Sequence, residues 1–247
     1  MKAVILGATK GMGRALARLM AERGDQVVLL GRDAADLERS ARDLEARAGS
    51  GRARVGTAAC DLLRPEGFGA ALDAAEAALS GLDAVIVTAG LYDSQEKLEE
   101  DAALAARLLA VNFTNTVLFC EEARRRLLRR GGGTLCVFSS VAGERGRKPV
   151  VIYGATKAGL SRYLEGLDHR YRERGLRTVC VKPGFVKTGM TQGLKPPPFA
   201  GEPEPVARRV LAAIDRGTPE VYAPAAWRWV MCVIRALPRA VMRKVKF

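Results

Sequence analysis

Residues 153–157 read YGATK, a phenol four residues ahead of an ammonium with small residues and one hydroxyl between them. On a helix, positions i and i+4 share a face, so Tyr153 and Lys157 point the same way. A lysine charge beside a phenol favours the phenolate and lowers the tyrosine pKa from about 10. That combination suits a general acid working near neutral pH. A plain surface helix would show the same five letters, so the rest of the chain has to decide.

A second cluster, GATKGMG, spans residues 7–13. Gly7, Gly11 and Gly13 alternate with Thr9, Lys10 and Met12. Glycines permit a tight turn and let the backbone come close to a phosphate, and a helix start then offers free N–H groups and positive dipole. The motif requires a strand before it and a helix after it. Both are present: AVILG (3–7) is a short apolar run, and GRALARLMAERG (13–24) has helical spacing. The spacing is G-x-x-x-G-x-G, not G-x-G-x-x-G.

The second strand ends LLGRD (29–33). Where NAD is preferred, an acid at this strand end binds the ribose 2′-hydroxyl. Gly31 stands in that place, Arg32 follows it, and Lys10 lies in the first loop. Two cations without a carboxylate suit a 2′-phosphate, hence NADP(H). NAD(H) stays open through Asp33, which a slip of two residues would make the ribose acid.

Composition narrows the remaining chemistry. The chain has 247 residues, 48% hydrophobic and 27% charged, enough for one large domain with a sizeable core. Cys60, Cys120, Cys136, Cys180 and Cys232 are odd in number and never form C-x-x-C, which points to reduced thiols in a cytoplasmic protein and to neither disulfides nor zinc. A single histidine, His169, argues against a Ser-His-Asp triad or a histidine-rich metal site, and no metal is expected. The net charge of +13 implies attraction to something anionic: a phosphate ligand, nucleic acid or an acidic membrane surface. The N-terminus lacks the apolar core and cleavage site of a signal peptide. No run of 18 apolar residues reads as a membrane span.

These groups need elements to position them. Continuous apolar runs at 3–7, 26–31, 54–62, 82–90, 132–140 and 176–184, with a last short one at 219–225, read as buried strands. Helical periodicity covers 13–24, 34–48, 67–79, 102–130, 153–175 and 204–215. Strands alternating with helices mean a single α/β domain over 1–225: a doubly wound (Rossmann) parallel sheet of about seven strands with helices on both faces. The one long irregular stretch, 188–205, follows the sixth strand and suits a mobile lid over a ligand, with a solvent-exposed loop as the plainer reading.

The parts coincide with a known family. The chain resembles the short-chain dehydrogenase/reductases along essentially its whole length: GATKGMG (7–13), CDL (60–62), TAG (88–90), Asn112 in VNF, SS (139–140), YGATK (153–157) and KPGFVKT (182–188) fall in the family's order and spacing. Thr88 departs from the asparagine of many members, with little functional loss expected. The resemblance implies a tetrad of Asn112, Ser140, Tyr153 and Lys157; Ser140, not its neighbour Ser139, has the family's separation from Tyr153. By resemblance, Tyr153 protonates the substrate oxygen while NADPH delivers hydride, and Ser140 stabilises the charge developing on that oxygen. Lys157 lowers the Tyr153 pKa and holds the nicotinamide ribose, and Asn112 anchors a water leading to solvent. The same resemblance puts Asp61 and Leu62 on adenine, Ala89 and Gly90 on the ribose, and Pro183, Gly184, Val186 and Thr188 on the nicotinamide. Its members usually pair the long helices between subunits, which implies a homodimer or homotetramer.

The C-terminal segment, 226–247, sets both tryptophans of the chain among six basic residues, Arg228, Arg235, Arg239, Arg243, Lys244 and Lys246, with no acid from Trp227 onward. Pro238 divides it into two helical pieces too short to span a bilayer. Arginine interleaved with apolar residues suits a helix lying on an anionic membrane. Packing on its own domain or on a partner copy is the competing reading. With SSVAGERGRKPVVIYGATKAGL (139–160), this tail is similar to that of the decaprenylphosphoryl-2-keto-ribose reductases of mycobacterial cell-wall synthesis. That likeness implies a lipid-linked 2-keto sugar as substrate, met by Arg145, Arg147 and Lys148. The alternatives are a soluble reductase of a small or acyl-chain ketone and a non-catalytic NADP(H)-binding regulatory or scaffold protein. Retention of all four tetrad residues counts against the last, and a reductase site makes nucleic acid a poor partner.

Overall fold

The computed structural model of the protein describes residues 1–48 and 55–245. Arg54, at the start of the expected third strand, and Lys246 lie outside the described residues. The strands are β1 (Lys2–Leu6), β2 (Gln26–Gly31), β3 (Val55–Ala59), β4 (Ala84–Val87), β5 (Gly133–Phe138), β6 (Leu176–Pro183) and β7 (Glu220–Ala223). They form one parallel sheet in the order β3-β2-β1-β4-β5-β6-β7, with Ile5 in register with Leu29 on one side and Ile86 on the other.

Side chains alternate across a strand, and β1 shows what that does here. Ala3 and Ile5 enter a core layer shared with helices α1 (Gly11–Arg23), α2 (Ala34–Ala48) and α8 (Pro203–Arg216). Val4 and Leu6 enter the opposite layer, with α3 (Phe68–Leu79), α6 (Asn115–Arg129) and α7 (Val151–Tyr171). Both faces are covered, so a strand with no polar alternation is the pattern such a sheet demands. The chain runs outward from β1 in one direction through β2 and β3, then returns to β4 and runs the other way. The crevice at that reversal, beyond the carboxyl ends of the strands, is where a doubly wound sheet binds ligands.

Two helices differ from expectation. The stretch 102–130 is not one helix but α5 (Ala102–Leu109), a π-turn over Ala110–Thr114, and α6. The wider turn coincides with a paired exchange: Leu91 N donates to Asn112 Oδ1 at 2.7 Å and Asn112 Nδ2 donates to Leu91 O at 2.7 Å. Such π-turns recur at functional sites. A short helix α4 (Gln95–Glu100) precedes it, capped by Ser94, whose hydroxyl accepts from Lys97 N. The Ser94 cap was the signal for it in a segment the sequence reading left unassigned. Within Ala102–Arg129, an 18-residue window reaches a mean hydropathy of 1.4, the level of a membrane span. This stretch is a covering layer of the sheet here, with Phe119, Cys120, Ala123 and Leu127 fully buried. Pro238 separates α9 (Trp227–Ala236) from α10 (Arg239–Met242) as expected. Trp227, Met231 and Ile234 of α9 pack on Val141 and Tyr222 of the same domain.

Candidate active site

At the reversal point lies a cleft of about 350 Å³. Its floor is the turn from β1 into α1. Gly7 and Gly11 hold φ of +98° and +55°, where other residues are strained. A Cβ on Gly13 would lie 2.4 Å from both Gly7 O and Thr88 Oγ1, so the turn closes only around glycine. Helix α1 starts there without a side-chain cap, so its first N–H groups face the cleft free. These features fit a dinucleotide pyrophosphate. Thr88, the departure from the family pattern, donates its hydroxyl to Gly7 O at 2.9 Å and ties the end of β4 to this turn.

Gly7, Thr9, Lys10, Gly11, Met12, Gly13, Arg32, Asp61, Leu62, Ala89, Gly90 and Thr188 all line this cleft. Of the expected cofactor contacts, Tyr153, Lys157, Pro183, Gly184 and Val186 do not appear on its wall. Val186 is core, and Gly184 is explained by packing, since a Cβ there would lie 2.1 Å from Trp227 Nε1. Cys60, Leu91 and Met190 line the cleft without having been singled out. Cys60 and Leu91 each adjoin a recognised residue, and that adjacency was the available signal.

At the end of β2, Arg32 stands exposed on the cleft rim. The Asp33 carboxylate is turned elsewhere: it accepts from Asp36 N at 2.9 Å and caps the start of α2. Lys10 Nζ lies 3.7 Å from Asp36, on the exposed side of the same rim.

The tetrad candidates converge beyond Gly90. Tyr153 and Lys157 sit one turn apart on α7, with Lys157 Nζ 5.7 Å from the Tyr153 ring centre. Burial pushes the Tyr153 phenol up to about 12 and outweighs the hydrogen bond from Ser140 that lowers it. The cation acting on that phenol is Arg147; burial pulls its guanidinium below the ordinary value, and Tyr92 and Tyr153 face it. Lys157 donates instead to Phe138 O at 3.0 Å, and burial lowers it to about 8. The i+4 ammonium thus lies near the phenol ring while hydrogen-bonding the end of β5. Tyr92 stacks edge-on against Tyr153 at 5.2 Å and was missed, although it lies two residues past Gly90.

The two serines separate cleanly. Ser139 is buried and donates to Lys157 O at 2.9 Å, next to Ser161, so it pins α7 to β5. Ser140 Oγ accepts from Ala142 N at 3.1 Å and stays on the Tyr153 side. The loop after it is held from behind. Glu144 takes hydrogen bonds or ion pairs from Lys182 at 2.7 Å, Tyr222 at 2.8 Å and Arg235 at 3.3 Å. Arg145 donates to Leu237 O at 2.7 Å, joining the loop to the end of α9.

Comparison with known proteins identifies the family. A family model described as short chain dehydrogenase matches residues 1–198. An uncharacterized oxidoreductase of Streptomyces coelicolor is 34% identical, covering 98% of this chain and 94% of that one. Carbonyl reductase family member 4 of Xenopus laevis is 26% identical over 85% of this chain and 89% of its own length. A short-chain type dehydrogenase/reductase from Mycobacterium ulcerans superposes with a TM-score of 0.81 at 22% identity, covering 89% of this chain and 86% of the other, which speaks to the fold.

Proposed function

The chain belongs to the short-chain dehydrogenase/reductase family and is an NAD(P)-dependent oxidoreductase, and from that premise we propose that it uses NADPH to reduce a hydrophobic or lipid-linked ketone to a secondary alcohol. The observation that carries the reading is the Tyr153 phenol, held at about 12 beside the Ser140 hydroxyl. A phenol kept protonated through neutral pH can give its proton to an oxygen that is becoming an alkoxide.

The glycine turn and the uncapped start of α1 hold the pyrophosphate, and Asp61 and Leu62 border the adenine. Arg32 and Lys10 take the 2′-phosphate; Asp33, occupied as the cap of α2, is poorly placed to serve as a ribose acid. The bound nicotinamide supplies hydride. Tyr153 holds the proton at Oη, Ser140 Oγ donates to the same substrate oxygen, and Lys157 keeps a cation behind the ribose. Asn112, fixed by Leu91, positions the π-turn that faces Lys157.

The substrate class rests on the rim. Met190, Leu194 and Phe199 in the 188–205 segment are exposed, with Phe199 at 60%, and Trp227 Nε1 donates to Phe199 O to tie this lid to the C-terminal segment. Residues 1–225 form the catalytic unit and 226–247 meets an anionic membrane at its cytoplasmic face, in a homo-oligomer. Titration with NADPH and NADH, followed by nicotinamide fluorescence in parent and Arg32→Ala, tests the cofactor. NADPH should bind tighter and lose roughly tenfold in the variant, about the 1.4 kcal/mol of one charge-assisted contact. Preference for NADH, indifferent to Arg32, overturns the reading.

A further inference from the structure

A second cleft, sharing no lining residue with the first, lies between α8, β7 and the start of α9. It encloses about 660 Å³ and gathers four guanidinium groups, Arg208, Arg209, Arg216 and Arg228. A number of arginines elsewhere are matched to acids: Arg18 to Asp43, Arg23 to Asp25 and Asp215, Arg126 to Asp73 and Glu122. Among the described residues, no carboxylate comes within ion-pair distance of Arg208, Arg209, Arg216 or Arg228. Arg209 is fixed by donating to Tyr222 O at 2.7 Å. The acid in the lining, Glu220, is already engaged by the buried Lys182.

All four are exposed on the cleft wall, and several positive charges lining one cleft favour an anion with several negative oxygens. The surface next to the cleft indicates which anion. Arg228 opens α9, and on the neighbouring face Trp229 and Val233 stand one turn apart at 73% and 64% exposure. The opposite face of the helix, Trp227, Met231 and Ile234, is the one buried on the domain. Arginines flanking an outward tryptophan and valine have the character of a helix set at a lipid headgroup boundary.

We propose that the Arg208–Arg209–Arg216–Arg228 cleft is a docking site for the phosphate headgroups of an anionic bilayer, with Trp229 and Val233 entering the lipid beside it. The proposal rests on the reading of the C-terminal segment as membrane-facing. It extends that reading to α8, which the tail does not include, and makes the attachment two-sided.

The test is co-sedimentation of the full chain with vesicles of phosphatidylcholine alone or with phosphatidylglycerol added, at low and high salt. Three proteins are compared: the parent, Arg208→Ala/Arg216→Ala, and Trp229→Ser/Val233→Ser. The parent should bind only phosphatidylglycerol vesicles and release in salt. At roughly fivefold for each basic residue near an anionic surface, the arginine double variant should bind about thirtyfold more weakly. NADPH binding should be unchanged in both variants, which separates this test from that of the cofactor site. Binding that survives loss of both arginines but not of Trp229 and Val233 overturns the cleft while leaving a membrane-facing tail. No vesicle binding by the parent overturns both. An arginine variant that instead dissociates the oligomer in light scattering assigns the cleft to a second copy of the chain and overturns the lipid assignment.

Discussion

Replacing Glu144 with glutamine probes how the loop after Ser140 is held. The Glu144 side chain is 3% exposed and that of Lys182 5%, so this is a buried ion pair, reinforced by Tyr222 and Arg235. Burial alone would raise the Glu144 carboxyl, but the Lys182 hydrogen bond and charge hold it below its ordinary value of 4.5. Removing one charge of a buried pair costs about 3–5 kcal/mol. Lys182 keeps Glu220, a half-exposed carboxylate, so the lower end of about 3 kcal/mol applies. For a chain of this size each kcal/mol moves Tm by about 2–4 °C, so Glu144→Gln should melt roughly 6–12 °C lower at pH 7. The sign of the pH dependence follows from the depressed folded-state pKa. The stabilisation is present above the carboxyl's unfolded value and is lost as pH falls through the folded one. The gap between parent and variant should therefore narrow as the pH drops below about 4. Thermal and urea unfolding followed by circular dichroism measure both quantities. A Tm loss under about 2 °C at pH 7, or a gap that widens on acidification, would refute the reasoning.

Tyr153→Phe should keep NADPH affinity and lose turnover by about 10²–10⁴-fold, the range for a general acid; retained turnover rejects Tyr153 as the acid. Gly184→Ala drives a Cβ to 2.1 Å from the Trp227 indole, which is buried and cannot swing aside. Overpacking of this kind costs about 1–3 kcal/mol. Adding Trp227→Leu should recover part of the lost Tm, and strictly additive losses would show that the two residues do not meet.

Much of the site was legible because its logic is local. A tight turn that only glycine can make, an uncapped helix start and a Tyr-Lys spacing of one turn are all set within a few residues. So are the seven strands, since a sheet covered on both faces leaves continuous apolar runs. The family resemblance supplied what local rules could not, the pairing of Ser140 and Asn112 with Tyr153 across more than ten residues.

What escaped depends on groups distant in sequence. Nothing in 102–130 signals a π-turn until Asn112 meets Leu91. Lys157 shares a face with Tyr153, yet its ammonium hydrogen-bonds the end of β5, and burial raises the phenol. Gly184 reads as part of the cofactor wall from its neighbours, but Trp227, 43 residues later, is what requires it. The sequence by itself determined the alternation of elements, the glycine turn after β1 and the one-turn spacing of Tyr153 and Lys157, because propensity and periodicity act over one or two turns. Tertiary structure alone decided which charges are buried, which arginines find acids and that Arg208, Arg209, Arg216 and Arg228 line one cleft, because desolvation and ion pairing depend on neighbours that only folding brings together.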